Sequence, residues 1–181
     1  MTAAVKVNVQ DVKALREETG APIGDVRSAL EEAKGDKPKA REILKRRGVA
    51  SAEKRAGRSA GQGRVEAYIH HDGKMGALVE VNCETDFVAR TPDFQQFCRD
   101  LALHVAAASP RYLSAEAAPD DVRGSANDAK ALCLLEQPFV KDQGTAIKDL
   151  VKALIAKTGE NVVVRRFTKF TVGEAQAPST S

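Results

Sequence analysis

Glu80-Val81-Asn82-Cys83-Glu84-Thr85-Asp86-Phe87-Val88-Ala89-Arg90 joins two different periodicities, and its reading decides the fold. Upstream, Met75, Ala77, Val79 and Val81 alternate with their neighbours, the period of a half-buried strand. Downstream, Thr91-Pro92-Asp93 opens a helix predicted over 92–108. Phe94, Phe97, Leu101 and Val105 form its apolar stripe, and Ser109-Pro110 ends it. Asp86 and Phe87 therefore stand side by side at the turn from strand to helix. Phe87 is one of six phenylalanines in a chain without tryptophan. An aromatic at such a turn either tucks into its own core or is presented to a partner. The residues alone leave both open, because Asp86 can equally cap a turn and Phe87 anchor the following helix.

Working outward, Val65, Ala67 and Ile69 alternate with Glu66, Tyr68 and His70 and predict a strand that starts near Arg64. The Asp72-Gly73 pair is suited to the tight turn of a hairpin back into the strand ending at Asn82. Residues 111–130, rich in Ala, Pro, Asp and Ser, are expected to be irregular. Leu132 to Val140 is apolar but holds Pro138, which suggests an edge segment leading to a turn. Ile147, Leu150, Val151, Leu154 and Ile155 define an amphipathic helix stopped by Gly159. Asn161 to Val172 is strongly β-prone and completes a small antiparallel sheet.

Toward the N-terminus the period is helical. Asn8 caps a first helix through about Glu18, with Asp11 as the return half of a capping box. Val9, Val12 and Leu15 share a face, and Gly20 follows as a stop. Ile23, Val26, Leu30 and Ala33 mark a second helix ending at Gly35. Asp36 caps a third, with Pro38 in its first turn, an Ala40, Ile43 and Leu44 stripe, and Gly48 closing it. Residues 49–63, small and Gly-rich, read as a basic linker whose first half can prolong the preceding helix. The expected organisation is a three-helix bundle over 1–48, the linker over 49–63, an α+β core over 64–172 and a disordered tail over 173–181. In that core, helices pack on one face of a three-stranded sheet.

The 181 residues are 43% hydrophobic and 29% charged, the composition of a globular protein, and aromatics make up only 4%. A core built on such a chain must rest on Val, Leu, Ile and Ala. No apolar run approaches the ~20 residues of a membrane span. Met1 to Lys6 lacks the apolar stretch of a signal peptide, so no membrane and a cytoplasmic location are expected. Cys83, Cys98 and Cys133 are odd in number and far apart, which argues against a disulfide framework and a zinc site.

The eleven residues from Glu80 to Arg90 resemble, letter for letter, the signature of the elongation factor Ts family. Members of this family strip GDP from elongation factor Tu during translation. Leu15 to Ala21 and Asp25 to Leu30 resemble the ubiquitin-associated-like (UBA-like) domain that opens such proteins. The similarity runs from about residue 9 to 170. Long members carry two core copies and a helical hairpin, whereas one copy is found here. The resemblance thus implies a short-type member, in which a homodimer can supply the second copy. It implies that Thr85, Asp86, Phe87 and Val88 intrude beside the partner's nucleotide site and dislodge Mg²⁺. It also implies partner contacts at Ile23 and Arg27. The usual Met-Met-Asp-x-Lys is Ile23-Gly24-Asp25-Val26-Arg27 in this chain, so an apolar contact is lost at Gly24 and Lys has become Arg. Thr158 and Gly159 match a backbone contact near the partner's phosphate loop, although Gly159 alone can be a helix stop. No cofactor or metal of the chain's own is implied.

No enzyme site assembles from the sequence. There is no Gly-rich phosphate loop, nucleophile elbow or HExxH motif. Of three histidines, His70 and His71 are neighbours expected to face opposite ways on a strand, and His104 has core spacing on its helix. Residues 37–64 carry ten Lys or Arg against two acids, net +8, on a body that is otherwise net −5. Such a stripe can meet phosphates and supports nucleic-acid binding as the runner-up. It has no interleaved aromatics, and an acidic partner surface would attract it equally.

Overall fold

The computed structural model describes residues 7–174. In chain order it comprises helices α1 (Val9–Thr19), α2 (Ile23–Glu32) and α3 (Lys37–Arg55), then strands β1 (Gln62–Ile69) and β2 (Met75–Cys83). A single helical turn, α4 (Asp86–Ala89), leads into α5 (Pro92–Ala108). Short helices α6 (Asp120–Arg123) and α7 (Ala126–Leu132), a 3-10 turn at Leu134–Glu136, and the two-stranded hairpin β3 (Pro138–Phe139) with β4 (Asp142–Ala146) come next. Helix α8 (Ile147–Thr158) and strand β5 (Val162–Thr171) complete the chain. The fold is α+β, with a three-stranded antiparallel sheet in the order β1-β2-β5. From residue 175 on, the expected tail lies outside the described residues. Two compact units form: residues up to Arg58 with Lys152–Asn161, and Ser59–Val151 with residues from Val162 on.

In the first unit, Leu15, Val26, Ala29, Leu30, Ala40, Ile43 and Leu44 bury a common core. The helix starts follow side-chain capping. Asn8 Oδ1 accepts from Gln10 N–H at 3.0 Å, and Asp36 Oδ1 accepts from Lys39 N–H at 3.0 Å. Asp11 pairs with Lys37 at 2.7 Å. Val9, expected on the buried face, is exposed. Gly48 does not close α3, which runs seven residues further to Arg55. A Cβ at Gly48 would lie 3.2 Å from the Ala156 Cβ, so this glycine admits a close helix approach rather than ending a helix. Buried Asn161 donates from Nδ2 to Arg58 O at 2.8 Å, tying the chain after α8 to the end of α3.

In the second unit, α5 covers one face of the sheet. Ala77, Val79 and Val81 of β2 are buried with Phe94, Leu101 and Val105 of α5. β1 lies the other way up from the usual apolar-in pattern. The register sets Val65 opposite Glu80, Ala67 opposite Leu78 and Ile69 opposite Gly76, on the face away from α5. Val65 and Ile69 are accordingly exposed. Gly63 accepts no side chain, because a Cβ there would meet Val81 O at 2.2 Å. It belongs to β1, not to a flexible joint. Residues 111–119 are irregular as expected, but the rest of the stretch is helical: α6 begins at Asp120, and Ser125 Oγ accepts from Asp128 N–H and starts α7. Ala118, Val122, Ala129 and Cys133 form a small core there. Pro138 begins a strand, a position where its missing N–H is tolerated.

Candidate functional site

The turn after β2 is built from caps and two buried side chains. Thr85 Oγ1 accepts from Val88 N–H at 3.3 Å and starts α4. Thr91 Oγ1 donates to Val88 O at 2.8 Å and accepts from Phe94 N–H at 3.4 Å, so one threonine closes α4 and opens α5. The Cys83 thiol donates to Thr85 O at 3.1 Å. A four-residue helix has no stability of its own. Buried Val88 and Ala89 hold this one against the core.

Phe87 is what the anchored turn displays. Its side chain is 77% exposed, although burying a phenylalanine contributes about 1.5–3 kcal/mol. It does not anchor the following helix; Phe94 does, fully buried. Asp86 beside it pairs with Arg90, Oδ2 to Nη2 at 2.8 Å. The i,i+4 spacing of Asp86 and Arg90 is the sequence signal for this pair. Of the four residues Thr85 to Val88, three are exposed and Val88 supports them from below.

The remaining candidates fall in the first unit. Ile23 opens α2 and is 63% exposed. Arg27, one turn on, shares its guanidinium with Glu31, Nε to Oε1 at 3.1 Å. A Cβ at Gly24 meets nothing within 4 Å, so this position is open. Thr158 and Gly159 end α8. Thr158 Oγ1 donates to Leu154 O at 2.9 Å, and Gly159, at φ +76°, gives its N–H to Ile155 O at 2.9 Å. Although far from Ile23 in sequence, they belong to the same compact unit. There the Lys157 side chain lies where a Cβ on Gly20, itself at φ +65°, would come within 2.8 Å. The structure thus brings Ile23, Arg27, Thr158 and Gly159 into one unit and sets Thr85 to Val88 in the other.

The titratable groups elsewhere are structural. His104 is fully buried; Val140 N–H donates to its Nδ1 at 3.3 Å and its Nε2 meets Gln137 Oε1 at 2.9 Å. Nδ1 is therefore the acceptor and the ring is neutral. Burial lowers its pKa, and the Gln137 bond opposes this. Burial, aided by nearby Glu66, pushes the Cys98 thiol up to about 12. His70 and His71 do not face opposite ways: both lie past the end of β1, and their rings are 4.2 Å apart. Among the described residues no group of three or more His, Cys, Asp or Glu could hold a metal. No helix among them is long and apolar enough to cross a membrane.

Five of the ten cations in the basic stripe pair with carboxylates, among them Arg64 with Glu66 at 2.6 Å. Lys37, Lys39, Arg41 and Arg47 reach Asp11, Asp36, Glu18 and Glu32. Arg41 grips Glu18 with two bonds of 2.6 and 2.8 Å, holding that carboxyl below its ordinary pKa. A surface missed at the level of sequence is the sheet face away from α5. Val65, Ile69, Leu78 and Phe170 are exposed there, beside shallow apolar grooves of about 370 and 260 Å³. The alternation of Val65, Ala67 and Ile69 carried the signal but not its direction.

The family model described as Elongation factor TS matches residues 2–129. The elongation factor Ts of Carboxydothermus hydrogenoformans is 46% identical, over 94% of this chain and 91% of that protein. That of Moorella thermoacetica is 46% identical over 91% and 94%, and that of Coprothermobacter proteolyticus 44% identical over 94% and 100%. The chain belongs to the elongation factor Ts family.

Proposed function

We propose that this chain is a short-type guanine-nucleotide exchange factor that binds elongation factor Tu·GDP in the cytoplasm, dislodges Mg²⁺ and releases GDP. Family membership makes it a translation elongation factor with a nucleotide-exchange role toward elongation factor Tu in general. The observation that carries the finer reading is Phe87, 77% exposed on a rigidly capped turn beside Asp86.

GDP on such a partner is held by phosphate contacts and by Mg²⁺ bridging to the phosphates. An aromatic anchor that fills an apolar slot supplies several kcal/mol of binding. If the slot opens only in the nucleotide-free arrangement, that energy shifts the partner toward release. Asp86 competes with the groups that order the metal and binds no metal itself. Ile23 and Arg27, in a first unit read as UBA-like, dock on the nucleotide-binding domain, and Thr158-Gly159 meets it near the phosphate loop. The coupling is reciprocal, so GDP weakens the grip of this chain by the same factor.

Release of fluorescent GDP from elongation factor Tu tests the reading. Saturable acceleration is expected, and its factor should shrink when EDTA removes Mg²⁺ beforehand. No acceleration would reject exchange activity. A factor indifferent to EDTA would reject the metal step.

The outward sheet face favours one addition, a homodimer in which a second copy covers Val65, Ile69, Leu78 and Phe170. Light scattering should give a dimer mass that Ile69→Lys reduces to the monomer. A monomer for the unmodified chain, free and bound, would sink it. Nucleic acid is the weaker partner, since five of the stripe's ten cations already have carboxylates. Binding that falls log-linearly and steeply with salt would reinstate it.

A further inference from the structure

We infer that Arg90 is a positioning residue for exchange, holding the Asp86 carboxylate beside Phe87 before the partner arrives. This rests on the exchange reading above and assigns a role within that site.

The backbone of the turn does not need the Arg90 side chain. Its N–H donates to Asp86 O and Phe87 O, both at 3.2 Å, and its carbonyl accepts from Gln95 Nε2 at 3.2 Å. Thr85, Thr91, Val88 and Ala89 fix the rest of α4. What the guanidinium adds is one ion pair across the whole length of that helix, 2.8 Å long, between side chains that are 79% and 63% exposed. An exposed pair contributes little to stability. Its effect is on where the carboxylate lies. Without Arg90 the Asp86 side chain samples its staggered rotamers in water. With Arg90 it is biased to the C-terminal side of α4, over the turn that carries Phe87. A carboxylate that must meet a metal-ordering site is then already placed in the bound complex, and less side-chain freedom is lost in the step that displaces the metal. The pair is weak enough for the partner to break or share.

A double-mutant cycle on the full chain tests this, read by fluorescent GDP release from elongation factor Tu. Maximal rate and half-saturating concentration are measured for the unmodified chain, Arg90→Gln, Asp86→Ala and the double variant. Arg90→Gln should lower the maximal rate about twofold, the size of one such pair, and leave half-saturation in place. Arg90→Lys, which keeps the charge and the reach, should recover most of the loss. In the Asp86→Ala background Arg90→Gln should have no further effect. An equal loss in both backgrounds, or a shift confined to half-saturation, would make Arg90 an independent partner contact and overturn the inference. An unaffected rate for Arg90→Gln would overturn it too. An Asp86→Ala chain as active as the unmodified one would overturn the role of the carboxylate, and this inference with it. Thermal midpoints of all four chains should agree closely, since the backbone bonds remain.

Discussion

Phe87 and Phe94 stand seven positions apart on consecutive helices that share Thr91 as their joint, yet one is 77% exposed and the other fully buried. Helix α5 uses Phe94, the more deeply buried of its two phenylalanines, as core beneath the sheet. The one-turn helix α4 buries the smaller Val88 and Ala89 instead and leaves its aromatic in water. The difference teaches where stability and function part in this chain. Truncating Phe94 attacks the fold, whereas truncating Phe87 attacks only what the fold displays.

That contrast can be broken most forcefully at Phe94. Phe94→Ala should destabilise the chain by about 3–5 kcal/mol, as large-to-small core changes do, and Phe87→Ala by no more than about 0.5 kcal/mol, as at exposed sites. Denaturant unfolding of the two variants checks this, and similar losses would mean that Phe87 is packed in solution. Next come the caps. Thr91→Ala removes the joint between the two helices and should cost about 1 kcal/mol, visible as faster exchange of the Phe94 amide, which loses its Oγ1 acceptor.

His104 gives a pH handle on the covered side of α5. Its folded pKa lies below the ordinary 6.5 because burial disfavours the charged ring. The unfolded chain therefore binds the proton first as pH falls. The contribution is fully present above about 6.5 and is lost as pH drops from there toward the lowered folded value. Stability measured from pH 7.5 to 5 should fall in that window, and His104→Asn should lack this component. A midpoint for GDP exchange in the same window would tie the site to the buried side and blur the contrast. The smallest effect is expected at Gly24, in the open first turn of α2. Gly24→Ala should stabilise by ~0.5 kcal/mol, because glycine carries excess backbone entropy there. Calorimetry would show it as a small upward shift of the midpoint.

Much of the fold was legible in the sequence, for identifiable reasons. β2 and α5 were clear because their periods are uninterrupted and Thr91-Pro92 marks the start of α5. The start of α3 and the end of α8 were clear because Asp36, Pro38 and Gly159 each have one strong local role. The orientation of β1 was not. Alternation gives a period of two but not which side meets a helix, and only pairing with Leu78 and Glu80 decides that. Gly48 and Gly63 misled for a related reason. Each answers to a contact far off in the chain, with Ala156 and with Val81. Helix α7 was hidden in an Ala- and Asp-rich stretch whose only local sign is the Ser125 cap. At the site, the motif drew attention to Asp86 and Phe87, but exposure is a property of packing. Nothing in the spacing said that Val88 would turn inward and Phe87 outward.

The most direct measurement is the rate of fluorescent GDP release from elongation factor Tu with saturating unmodified chain and with Phe87→Ala, alongside their thermal midpoints. Loss of acceleration at an unchanged midpoint is the predicted result: a displayed aromatic that works on the partner and not on its own fold. Full acceleration by a well-folded Phe87→Ala chain would contradict the claim.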